Sequence, residues 1–420
     1  MPAPTPDQPL PTPDQAAAVP KPESQKKPLG ERAKDLLSRF TPWVKKSEPD
    51  KALEKIDTFA PEEHIDSTQE YFDKLKDISE GELTQESVDL AEDFFIGLAR
   101  QDDLVYSKAG EAVNIFNVLE EKARSAGLRM PIRDRQFERA YQRLERKKEI
   151  AGVLEEFRSL AKTNPDIFKP GSKAIYDFLV GQNNGTLDKA FGYLELYPSY
   201  IENIKADLTR FPTVKKEEPP SWLVVNSEAK RRQDQSGRFY LNPKSEFIQP
   251  VFIQLIEELS KNPNLAFQAK VINPTLYKSP GFELADFANM SRALTRSDKI
   301  VLYFDSANQE EIIKILQKFW DNSGSASRFD SKKTKFAFTP KFRGIEMPGL
   351  SFGQEPTPEY SDKYSFTDLR AKILQETQNY INEPDFEKHF MDALKTHNID
   401  PSDPAFNWPQ EEGQDRFSGI

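Results

Sequence analysis

The chain has 420 residues, 58 lysines and arginines against 68 aspartates and glutamates, a net charge of −10, no cysteine and three histidines (His64, His389, His397). Disulfide frameworks, iron–sulfur clusters, thiol catalysis and Cys/His zinc sites are excluded, a histidine-centred triad is improbable, and no global basic field recruits nucleic acid. No apolar run reaches the roughly 18 residues of a membrane span, no secretory signal is expected at the N-terminus, and 37% apolar residues suit a folded chain of two or three domains.

Residues 1–28 hold nine of the 32 prolines and two copies of Pro-Thr-Pro-Asp-Gln, beginning at Pro4 and Pro11. So little apolar surface predicts a flexible, partly polyproline leader, either a solubilising tail or a delivery and docking segment. Residues 29–211 read as an all-helical region. Thr84 caps a helix carrying Val88, Ala91, Phe94, Phe95 and Leu98 at helical spacing. Ala112, Val113, Phe116 and Leu119 mark the next helix, and a longer one runs from Asp134 to Leu160 through Phe137, Leu144, Ile150, Leu154 and Phe157. The Glu145-Arg-Lys-Lys-Glu149 cluster in it reads as a solvated face. Nothing in this region looks catalytic.

Residues 212–220, within Phe211–Pro220, are proline-rich and charged and read as a linker. Residues 221–385 then alternate β-rich runs (Trp222–Asn226, Arg238–Asn242, Ala266–Ile272, Lys299–Phe304, Lys335–Phe338) with helices (Phe247–Lys261, Asn308–Trp320, Ser365–Ile381). The fold class is therefore an α+β C-terminal domain, a mixed or antiparallel central sheet with flanking helices, preceded by the all-α region and the disordered leader. Residues 386–420 complete a helix and run out, after Asn398, into a loose acidic tail.

Strand alternation sorts the sheet into two faces. Phe239, Leu241, Phe267, Ala269, Val271, Ile300, Leu302 and Phe304 face the helices bearing Phe252, Leu255, Ile256, Leu259, Ile312, Leu316 and Phe319. The opposite face gathers Arg238, Tyr240, Asn242, Gln268, Lys270 and Tyr303. Donors concentrated on one face need water, a covering domain or a shared anionic partner. Arg292, Arg296 and Arg343 stand in nearby loops as candidates for a guanidinium fork on phosphate. Residues 221–350 carry 19 basic and 14 acidic residues, 19 − 14 = +5, which leaves −15 for the rest of the chain. A locally positive module in an acidic chain suits an anionic ligand.

Five motifs in order resemble the HopA/HrmA-type family of type III secretion effectors: Gly237-Arg-Phe-Tyr-Leu-Asn-Pro-Lys244, Lys270-Val-Ile-Asn-Pro274, Arg296-Ser-Asp-Lys-Ile-Val-Leu-Tyr-Phe304, Gly353-Gln-Glu-Pro356 and Ser365-Phe-Thr-Asp-Leu-Arg370. The same domain type occurs as the lyase component of class V lanthipeptide synthetases, and more remotely the module is similar to the OspF/SpvC phosphothreonine lyases. The resemblance implies a phosphorylated protein or peptide as partner and β-elimination of phosphate; no cofactor or metal is expected. It also implies a secretion chaperone or host protein as further partner, and a bacterial cytoplasmic protein exported into a host cell by type III secretion. It further places Lys270 as base, Tyr303 as its supporting tyrosine, and Arg238, Arg292, Arg296 and Arg343 among the candidates for phosphate. The lyases' histidine acid has no counterpart, because Tyr240 and Asn242 occupy the matching strand; Tyr240 is left as donor, or an arginine-bound phosphate leaves without one. Three readings stand: a phospho-Ser/Thr lyase, a non-catalytic effector or phosphate-binding adaptor, and a partner-binding protein working through its helical region.

Overall fold

In the computed structural model the described residues are 68–129, 134–169, 173–181, 200–211, 214–217, 222–229, 236–273, 292–322, 325–338, 341–342 and 345–408. The proline-rich leader, residues 29–67 and Arg343 lie outside them. Helix α1 (Thr68–Glu80), α2 (Gln85–Arg100), α3 (Tyr106–Ser125) and the 29-residue α4 (Arg135–Thr163) form the helical region expected from the spacing of their apolar residues. Thr84 caps α2 in a reciprocal box with Ser87, and Asp134 caps α4 by accepting from the amides of Gln136 and Phe137. Phe72, Phe94, Phe95, Phe116, Phe137 and Leu144 make the core of this bundle. Asn164 and the 3-10 turn opened by Pro165 end α4 where the proline dictates.

The short α5 (Ala174–Leu179) and α6 (Tyr200–Leu208) lead into a six-stranded, wholly antiparallel sheet. Its strands are β1 (Val214–Glu217), β2 (Trp222–Ser227), β3 (Ser236–Leu241), β4 (Phe267–Ile272), β5 (Ile300–Asp305) and, far along the chain, β8 (Leu350–Gln354), in spatial order β1-β2-β4-β5-β3-β8. A separate two-stranded ribbon joins β6 (Lys341–Phe342) to β7 (Ile345–Glu346). Helices α7 (Ile248–Ser260) and α8 (Gln309–Asn322) cover the apolar face through Phe252, Leu255, Ile256, Leu259, Ile312, Leu316 and Phe319, as the alternation requires. The α+β class with an antiparallel sheet is thus borne out. After the one-turn α9 (Pro358–Ser361), α10 (Phe366–Glu376) and α11 (Phe386–Thr396) pack against the second half of α4, with Ile150, Leu154, Phe157, Ile373 and Phe390 in one shared core.

Four local expectations differ from the structure. Val214–Glu217, inside the proline-rich segment read as linker, is the edge strand paired with β2 in the register Val214↔Ser227; a short, lysine-bearing strand is what an open edge tolerates. Lys335–Phe338 is not a strand: Phe336 is left-handed at φ 60° and only Phe338 bridges, to Phe352. The Glu145–Glu149 charge cluster is not a solvated face, because Arg146 and Lys147 are buried. Residues 399–406 are not loose: Ile399, Asp403 and Ala405 are buried, and Gln354 at the end of β8 donates its amide to Ala405. No helix among the described residues is long and apolar enough to cross a membrane.

Candidate functional site

The antiparallel register sets the polar face in rows. Arg238, Tyr303 and Gln268 stand side by side on β3, β5 and β4, and Asn226 continues the row on β2. The next row is Tyr240, Val301, Lys270 and Val224. This face is not open to water. Tyr240, Val301 and Tyr303 are buried with Ala337 and Phe366, so α10 and the turn at Phe336 lie across it. Phe366 can approach that closely because β8 offers it Gly353, where a Cβ would stand 2.5 Å from the Phe366 ring.

Lys270 is half-buried, its ammonium 4.5 Å from the centroid of Trp222 and 5.1 Å from that of Tyr303. Among the described residues it makes no hydrogen bond or ion pair to a carboxylate. Its field reaches Asp298: burial alone would raise that carboxyl, but Arg296, its hydrogen bonds and then Lys270 hold it below the usual range. Tyr303 is shared by two cations, since the Arg238 guanidinium lies 4.6 Å from the same ring.

The arginines are already engaged. Arg238 is buried and forms a bidentate pair with Glu355, its Nε and Nη2 donating to the two carboxylate oxygens. Burial works against its charge, but Glu355, Tyr240 and Tyr303 raise the guanidinium pKa well above normal. Arg296 donates from Nε and Nη2 to the Asp298 oxygens, both at 2.7 Å, and from Nη2 to the Tyr176 hydroxyl at 3.3 Å. It also lies 5.6 Å from the Trp222 ring. Burial pushes the Tyr176 phenol up to about 12, against the pull of Arg296. Arg292 is exposed and lines a separate depression of about 760 Å³ with Glu156, Asp177, Lys332 and Lys335.

The remaining face residues build structure. Asn242 donates to the Lys332 carbonyl at 2.9 Å and accepts from the buried Lys299 ammonium. Gln268 donates to Asn226 Oδ1 at 2.7 Å. Tyr240 is buried against Phe366, and burial raises its phenol pKa beyond the reach of the opposing Arg238. A phenol held in that way is a poor proton donor to anything arriving from solvent. His389 stacks on Tyr380 and His397 bonds Glu376 at 2.7 Å.

A second ligand-sized opening is a cleft of about 800 Å³ between α5, α10 and the start of β2, lined by Trp222, Tyr176, Arg296, Lys173, Lys363 and Tyr364, together with Asp177 and Asp368. Sequence reasoning missed Trp222, which carries both Lys270 and Arg296, and Asp298 and Glu355, which occupy the two arginines. The last two lie inside the quoted motifs, two residues after Arg296 and just after Gln354, so the pairing of Arg296 with Asp298 was open to reading from spacing.

Residues 284–406 match the model of the HopA1 effector protein family, bearing out the effector-family resemblance read from the motifs. The matched stretch contains Arg296, Tyr303 and Glu355, while Lys270, Arg238 and Trp222 precede it. Among solved structures, the chain is similar to the effector protein from Pseudomonas syringae pv. tomato strain DC3000, at 16% identity over 62% of this chain and 98% of that one, with a TM-score of 0.38. It is also similar to the effector protein from Pseudomonas syringae pv. syringae strain 61, at 13% identity over 62% and 98%, with a TM-score of 0.42. No curated protein matches the chain.

Proposed function

We propose that the chain is an effector-type protein whose Trp222 cleft, with Lys270 beside Trp222, binds a phosphorylated serine or threonine of a protein or peptide partner and holds it without turnover. One observation carries this reading. Arg238 and Arg296 each keep a bidentate carboxylate of their own, whereas Lys270 has none among the described residues. A phosphate dianion entering the cleft meets the aromatic faces of Trp222 and Tyr176 and the cations Lys173 and Lys363, with the Lys270 ammonium 4.5 Å from the Trp222 ring centroid. Those groups suffice for recognition by charge and stacking. Elimination asks for more: a deprotonated base, guanidinia free to take the leaving dianion, and an acid for the leaving oxygen. Glu355 and Asp298 occupy the guanidinia, and Tyr240 is enclosed.

A phospho-Ser/Thr lyase is the second reading, favoured by the placement of Lys270 against Tyr303, the pair that the lyase resemblance nominates. Export to a host cell by type III secretion, with a secretion chaperone or host protein as partner, accompanies either reading through the effector family. The test is an array of phosphopeptides and their unphosphorylated counterparts probed with the full chain, followed by mass spectrometry of the bound peptides. Phosphate-dependent, saturable binding with unchanged peptide mass, lost in Lys270→Ala, is expected. Loss of phosphoric acid from a peptide, absent with Lys270→Ala, would establish the lyase instead; no phosphate dependence would sink both.

A further inference from the structure

The α10 wall of the Trp222 cleft carries a cation that has no role so far. Asp368, Ala371, Lys372 and Gln375 recur at helical spacing, so one face of α10 lines the opening together with Trp222 and Arg296. Lys372 bonds Oε1 of Glu376, one turn further on. The second oxygen, Oε2, lies 2.7 Å from Nε2 of His397, the residue that follows α11. His397 is buried and its ring meets Tyr360 of α9 edge-on at 5.3 Å, so the imidazole is fixed in place beside α10. Glu376 stands against its local preference. It is the last residue of α10, where the helix dipole opposes a carboxylate. Lysine followed by glutamate four residues on is also the weaker order of such a pair. Burial would raise the Glu376 carboxyl, but the bonds from Lys372 and His397 hold it below the usual range.

Two donors therefore serve one carboxylate, and only one of them can leave cheaply. The Lys372 and Glu376 side chains are 32% and 42% exposed, and an ion pair so exposed is worth little. Arg296 and Asp298 in the same cleft are 13% and 4% exposed and joined at two points, so that pair stays closed. A phosphate oxygen reaching the α10 wall replaces Glu376 on Lys372 with a more highly charged partner, while Glu376 keeps its bond to His397 and is not stranded. Asp368, the other acid on this face, does not compete for Lys372, because its carboxylate accepts from the Ser365 amide and hydroxyl at the start of α10. We infer that Lys372 is a further phosphate-binding residue of the Trp222 cleft, one that exchanges Glu376 for the phosphate of the ligand. This rests on the phosphopeptide reading given above and adds a residue to it.

Calorimetric titration of the full chain with a phosphothreonine peptide near neutral pH tests this as a double-mutant cycle. Lys372→Met should weaken binding about tenfold, the loss of one charge-assisted bond. Glu376→Gln, which keeps an oxygen for His397, should tighten binding roughly threefold by removing the competitor. In the Lys372→Met background Glu376→Gln should leave the affinity unchanged, a result that a merely structural role for the pair would not give. Should Lys372→Met melt at a lower temperature than wild type, Lys372→Gln with an unchanged melting temperature takes its place. The inference is overturned if the folded Lys372 variant binds as tightly as wild type, if Glu376→Gln alone has no effect, or if its gain persists without Lys372. Those results leave the phosphopeptide reading standing wherever Lys270→Ala abolishes binding. A wild-type chain that binds no phosphopeptide overturns both.

Discussion

Arg238 owes its charge to Glu355: both are largely removed from water, and each would be costly to bury alone. Glu355→Ala should therefore destabilise the fold by about 3–5 kcal/mol in urea titrations, far more than loss of an exposed ion pair such as Lys108–Glu111. Two other buried cations set a pH dependence. Burial, and then Arg143, lowers Lys147 to about 8; burial, with Lys332 adding to it against Asp330, lowers Lys299 to about 8, from a normal 10.5. Between pH 8 and 10.5 the unfolded chain binds more protons than the folded one, so stability rises with pH across that window. The unfolding free energy of wild type relative to Lys147→Met should grow by up to roughly 3 kcal/mol from neutral pH to above 10. A flat difference would show that Lys147 reaches water in the folded chain.

The elements most legible in the sequence are those whose apolar period is long. Helices α2 and α4 and strands β3, β4 and β5 follow it to within three residues, and so does the division of the sheet into an apolar and a polar face. Strands β1 and β8 escape because they are edges, one short and lysine-bearing, the other interrupted by glycine. The glycine in β8 has a packing reason, since Gly353 is where Phe366 of α10 reaches the sheet. Gly353→Ala should cost about 1–3 kcal/mol by forcing Phe366 outward, and should expose Tyr303 and Tyr240 to a rise in fluorescence quenching. The site itself was only partly legible. Lys270, Tyr303 and Arg238 fall on one face by parity alone, but their covering by α10 and the capture of Arg238 by Glu355, 117 residues away, depend on long-range contacts that period and composition do not encode.

Across the whole of Ile65–Ile420, which forms one compact unit, the helical and sheet-bearing regions share structure. Arg146, at the middle of α4, is buried and donates to Asp403 at 3.0 Å and to the carbonyl of the left-handed Phe336 at 3.1 Å. Seen from sequence it belongs to a charged helix face, because its buried carboxylate partner is 257 residues away. Asp403→Ala leaves that guanidinium with one carboxylate partner, the exposed Glu149, beside the Phe336 carbonyl; a loss of about 3–5 kcal/mol is expected, with α4 and the sheet still unfolding in a single transition by circular dichroism and tyrosine fluorescence. The walls of the Trp222 cleft likewise come from distant parts of the chain, α5, α10 and β2 together. The proposed seating of phosphate in the Trp222 cleft, within reach of Lys270, is tested most directly by a crystal structure of the full chain with a phosphothreonine peptide bound. Phosphate oxygens within hydrogen-bonding distance of Lys270 Nζ, with the Arg238–Glu355 and Arg296–Asp298 pairs intact and the peptide unaltered, are expected. A phosphate seated elsewhere, with Lys270 still resting on Trp222 and Tyr303 alone, would contradict it.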